Sequence, residues 1–74
     1  MRLTIQNMDN DSIFDIEIDN EGLVEDIKVF ISAETGIDVD KQILMLSGKA
    51  LQNDNQKAKL CGIKENDLII LASK

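Results

Sequence analysis

The sequence predicts an α+β domain in which one helix lies across one face of a mixed sheet. Three observations carry this expectation. The chain opens on two stretches of apolar–polar alternation, passes through a single run of helical periodicity, and closes on two short apolar runs bounded by turn residues.

Met1, Leu3 and Ile5 alternate with Arg2, Thr4 and Gln6, and the turn-prone run from Asn7 to Asp11 leads into Phe14, Ile16 and Ile18 alternating with Asp15, Glu17 and Asp19. This is an opening β-hairpin. From about Val24 to Glu34 the apolar residues Val24, Ile27, Phe30, Ile31 and Ala33 recur at helical spacing, with Glu25 and Asp26 in the first turn, where the helix dipole favours anions. Gly36 ends the helix. Its start carries no obvious cap, because Gly22 and Leu23 stand where a Ser, Thr, Asp or Asn is expected. After the polar link 38–41, Gln42 to Leu46 forms a third strand, closed by the turn Ser47-Gly48-Lys49-Ala50, with a short fourth strand near Leu51. Residues 52–59 read as a polar loop, 60–63 as a segment that packs down, and 64–67 as a turn. The last strand is Leu68-Ile69-Ile70-Leu71. Alternation assigns Leu3, Ile5, Phe14, Ile16, Ile18, Leu44, Leu46, Leu68 and Ile70 to the helix side of the sheet, and their neighbours to the open side.

Seventy-four residues allow one domain, which at this size buries only about 60% of the surface its unfolded chain exposes. The core must be aliphatic, since the chain has two Phe and no Trp or Tyr. With one cysteine and no histidine, neither an internal disulfide nor a zinc site is available, and no other metal or cofactor is expected. Cys61, between Leu60 and Gly62 and near Ile63, reads as a small packing residue and not as a reactive thiol. No apolar run is long enough for a membrane span, and the first six residues alternate instead of forming a signal block. A soluble monomer in the cytoplasm is expected, with the nucleus as a second compartment. The net charge of −6 argues against nucleic acid, whose affinity rests on Lys and Arg contacts. Charge is also segregated: residues 9–40 hold eleven acids and only Lys28, whereas 41–74 hold three acids and six lysines.

The most specific stretch is Thr35-Gly36-Ile37, then Asp40-Lys41-Gln42, then Leu44 through Leu51. It resembles ubiquitin's helix exit, third strand and Gly-Lys turn, in register and without gaps, and the likeness of element order runs from Met1 to about Leu71. The resemblance implies the ubiquitin-like β-grasp fold. Within that group, Leu3-Thr4-Ile5, the apolar Phe30, and the ending from Leu60 to Leu71 are similar to the amino-terminal domain of DNA-damage-inducible shuttle proteins, which carry a retroviral-type aspartic protease farther along. The protease signature Asp-Ser/Thr-Gly does not occur here, so the domain itself is expected to be non-catalytic and to be the amino-terminal part, residues 1–74, of a longer protein. Conjugation in ubiquitin uses a Gly-Gly tail, whereas this chain ends Ala72-Ser73-Lys74.

On this reading the working residues lie on the open face. Strand alternation offers Ile43, Met45, Ile69 and Leu71, with Met8 overhanging from the first turn. By the resemblance, Met45, Leu71 and Met8 match ubiquitin's recognition patch, and Ile43 and Ile69 replace basic residues at its border. Gly48 supplies a positive φ in the turn, and Lys49 beside it is a rim contact. Lys28 matches a lysine that in ubiquitin packs against the body and pairs with an acid. Asp15 and Glu17 lack the pocket, nucleophile or histidine that acid–base catalysis needs, and with Asp9 and Asp11 they are expected to form an acidic margin that steers basic partners. Scattered exposed apolar residues need no explanation, but a cluster on one face does. The implied partners are ubiquitin or a proteasomal receptor for ubiquitin-like domains, at weak, micromolar-range affinity. Two alternatives stay open: a conjugatable modifier, and a regulatory domain for an attached protease.

Overall fold

A computed structural model describes residues 1–74. Five strands, β1 (Arg2–Asn7), β2 (Ile13–Glu17), β3 (Gln42–Leu46), β4 (Lys49–Ala50) and β5 (Leu68–Ser73), form one sheet in the order β2-β1-β5-β3-β4. The helix α1 (Val24–Thr35) crosses one face. Only β1 and β5 run parallel, so the two central strands come from opposite ends of the chain. The α+β fold and its single helix are those the sequence predicts.

The core on the helix side contains Leu3, Ile5, Ile16, Ile18, Leu44, Ile69 and Leu71 from the sheet side and Val24, Ile27 and Ile31 from the helix, closed off by Ala58 and Ile63. Phe14 and Leu46 pack at its margin. In β1, β2 and β3 the alternation of the sequence and the alternation of burial agree. In β5 they do not: Ile69 and Leu71 are fully buried, whereas Leu68 is 47% exposed. The cause is register. Directly paired residues on neighbouring strands share a face, and β5 pairs Ile69 with buried Ile5 and Leu71 with buried Leu44. The same register puts Ile70 beside Gln6 and Met45, and Ala72 beside Ile43, on the open face. Ile69 and Leu71 are therefore core residues and are withdrawn from the docking face.

The helix also departs from expectation on one flank. At 3.6 residues per turn, Phe30 lies about 95° around the helix from the mean direction of Val24, Ile27 and Ile31, and it is 48% exposed; Ala33 points outward too. The inward stripe is completed instead by Lys28, buried along its stem, whose ammonium meets Asp54 at 2.8 Å.

The missing N-cap is supplied from a distance. Leu23 N–H donates to the Asp26 carboxylate at 2.9 Å, while Val24 N–H and Glu25 N–H donate to the carbonyls of Gln56 and Asp54, each at 3.0 Å. Main-chain oxygens of the 52–59 loop thus satisfy donors that a helix start leaves free. The loop is held further by a bond from Ala58 N–H to Gly22 O at 2.9 Å, and by Glu21, which bridges Lys57 and Lys59. At the other end Gly36 adopts φ 79° and its N–H returns to Ser32 O, the left-handed stop that glycine permits without a Cβ penalty.

Candidate protein-interaction face

With the helix covering one side, the other side of the sheet is built from the opposite parity of the same strands. Register lays Ile13, Gln6, Ile70, Met45 and Ala50 in one row across all five strands. Alongside it, Ile43 pairs with Ala72, and Met8 N–H donates to Leu71 O at 2.9 Å, which fastens the first turn to the end of β5 and sets Met8 next to that pair. On the far side of the row Leu68 sits opposite Thr4, flooring a shallow depression between the β3–β4 turn and residues 62–67. Met8 is 55% and Ile13 62% exposed; Ile43, Met45 and Ile70 are half-buried by one another and by the sheet. The result is an apolar strip over β5, β3 and β4, joined by Met8 from the first turn, with the polar Gln6 of β1 standing between it and Ile13.

The β3–β4 connection is a two-residue turn in which Ser47 (φ 53°) and Gly48 (φ 80°) both take positive φ, the geometry that matches strand twist in tight hairpins. Gly48 acts as expected. The pairing Met45–Ala50 and Leu46–Lys49 puts Ala50 on the open face, so Lys49, opposite Leu46, takes the other parity and stands exposed at the hairpin edge, outside the strip.

The four acids named from the sequence are split into two groups. Asp15 faces outward on β2, but Arg2 donates two bonds to it, at 2.7 and 3.2 Å, and the Thr4 hydroxyl donates a third at 2.8 Å. The Arg2 guanidinium and this hydroxyl hold the Asp15 carboxyl below its ordinary range, and Asp15 in turn raises Arg2. Glu17 lies 3.7 Å from the N-terminal ammonium. Much of the charge at that end is thus compensated locally. Asp9 and Asp11 lie at the other end, in the turn that carries Met8; Asp9 accepts from the Ser73 hydroxyl at 2.6 Å, and Asp11 is exposed with φ 61°. The uncompensated acid margin is the Asp9–Asp11 side.

Of the apolar residues named in advance, Met8, Ile43 and Met45 come together here. Leu68, Ile70, Ala72 and Ile13 were missed. Ile13 was within reach of the pattern, because it shares parity with outward Asp15 and Glu17. Leu68 and Ile70 were not, because a run of four apolar residues has no polar member to mark its outward parity.

Among proteins of known description, the chain is similar to Protein DNA-DAMAGE INDUCIBLE 1 of Arabidopsis thaliana, with 25% identity over 71 residues that cover 96% of this chain and 17% of the relative. The chain spans about a sixth of that relative's length. The family profile described as the Ubiquitin family matches residues 3–74, from the first core residue of β1 to the end of β5. With the five-stranded mixed sheet and the single crossing helix in place, the chain belongs to the ubiquitin family.

Proposed function

We propose that this domain is a protein-interaction module of the ubiquitin–proteasome system, one part of a longer shuttle-type protein, and that it receives ubiquitin or a proteasomal receptor for ubiquitin-like domains on the open sheet face. The observation that carries this reading is the strip of Met8, Ile43, Met45 and Ile70: apolar side chains from the first turn, β3 and β5, brought together by register and left uncovered by any other element of the domain, with Ile13 beyond Gln6 on β2. The similarity to a relative about six times the matched length supports a module within a larger chain.

Energetically the face suits weak and exchangeable docking. Buried apolar area contributes roughly 25 cal/mol per Å², and most of it is offset by the loss of translational and rotational freedom on association. Two methionines adapt the face to partners of differing shape. Asp9 and Asp11 favour a partner with a basic border on the Met8 side, which predicts that added salt slows association.

The test is an NMR titration of the isotope-labelled domain with ubiquitin, repeated with Met45→Ala. Shifts gathered on Met8, Ile13, Ile43, Met45, Leu68, Ile70 and Ala72, and lost in the variant, support the reading. Absence of shifts at a large excess of ubiquitin defeats ubiquitin as the partner and leaves a proteasomal receptor as the one to titrate next.

A further inference from the structure

The outer face of α1 lies on the opposite side of the domain from the sheet strip, and it is not a simple solvated face. Its two exposed rows, at i, i+4 spacing, are Glu25–Val29–Ala33 and Asp26–Phe30–Glu34. Val29 is 52% and Phe30 48% exposed, and Phe30 is one of only two aromatic side chains in the chain. Acids close the apolar centre at both ends. The only cation of the helix, Lys28, is turned inward to Asp54, and the last turn holds no basic residue to meet the negative end of the helix dipole.

We propose that this helix face is a second docking site, and that its occupant is an amphipathic helical segment of another protein with bulky apolar residues flanked by Lys or Arg. Charge selects the occupant. A second copy of this helix face, nucleic acid and an anionic lipid surface are all repelled by Glu25, Asp26 and Glu34, whereas basic flanks meet both acidic ends while their apolar centre covers Val29 and Phe30. From residue 25 to residue 34 the helix rises about 13 Å. A partner helix matches that span with basic residues about eight or nine positions apart. Because the helix and the sheet strip look in opposite directions, occupation of one leaves the other free, and the domain is able to hold two partners at once.

The experiment uses the isotope-labelled domain and two synthetic amphipathic peptides with the same leucine face, one flanked by lysines and the other by glutamates. The lysine peptide is expected to shift residues 25–34 and to bind Phe30→Ser about tenfold more weakly, the loss that accompanies truncation of an aromatic anchor. Glu34→Lys, an exposed change that removes no packing, is expected to weaken it as well, while Met45→Ala leaves it unchanged. Equal binding of the glutamate peptide, shifts on the open sheet face, or no shifts from either peptide overturns the proposal. Shifts of residues 25–34 on simple dilution of the free domain would assign the face to a second copy and overturn it too. These outcomes are separate from the ubiquitin titration, because Met45→Ala reports only on the sheet face.

Discussion

Replacing Leu71 and Ile70 one at a time by alanine separates the two faces of β5 at adjacent positions. Leu71 is fully buried and pairs with buried Leu44 between β1 and β3. Truncating a leucine in such a site costs about 2–5 kcal/mol, from lost transfer energy and from the cavity left behind. A domain of 74 residues has about 4–11 kcal/mol in total, so the change removes about half. At about 4–8 °C per kcal/mol for this size, the melting temperature falls by about 10–40 °C. Ile70 stands on the open face, half-buried beside Met45, and its truncation opens no enclosed cavity. About 1 kcal/mol or less is expected. Urea unfolding followed by circular dichroism is the assay, since the chain lacks Trp and Tyr for a fluorescence signal. The slope m should be common to wild type and both variants, so that the midpoints report stability. An Ile70→Ala variant as unstable as Leu71→Ala would refute the register and return β5 to the parity its sequence suggests. The ubiquitin titration should show the converse order, with Ile70→Ala weakening binding through the face itself.

Gly22→Ala is expected to destabilise by about 1–3 kcal/mol, because the added Cβ meets Asp19 O at 2.9 Å and the backbone that shifts also accepts the Ala58 bond. A thermal melt unchanged from wild type would show that the turn relaxes freely. Acid should unfold the domain partly through Glu21, whose carboxyl is pulled to about 2 by hydrogen bonds from Lys57 and then Lys59. Its folded value lies below the ordinary value of 4.5, so its contribution is complete above about pH 4.5 and is lost as pH falls toward 2. Asp15 adds in the same direction through Arg2. Glu21→Gln should flatten the pH dependence of stability in that window, and an unchanged acid profile would count against the bridge.

The sequence was most legible where a polar residue marks each outward position. In β1 the triplet Arg2, Thr4, Gln6 leaves no doubt about the parity of Leu3 and Ile5, and in β2 Asp15 and Glu17 do the same for Ile16. Leu68 to Leu71 offers no such mark, and its parity is set by pairing with strands far away in sequence, which no local pattern encodes. Phe30 misled for a related reason: it is three residues from Ile27, yet the inward stripe already had its fourth member in Lys28, a charged residue buried only because Asp54, 26 positions on, meets it. The helix start was illegible because its cap is the main chain of residues 54–56, and carbonyl oxygens leave no trace in side-chain identity.

A sheet covered on one side divides its labour between the two parities of each strand. The inner parity holds the fold and tolerates little change, whereas the outer parity contributes little to stability and is free to carry an apolar docking strip. Such a strip on so small a domain invites self-association, and the edges of the sheet are where that would begin, through unpaired backbone groups. Here β2, at one edge, shows Asp15 and Glu17 outward, and β4, at the other, is only two residues long. With a net charge of −6 the copies also repel one another. Edge pairing is thus discouraged by charge and by shortness while the open face stays uncovered, so the docking proposed for that face would proceed through side chains and would favour partners whose charge differs from that of the domain itself.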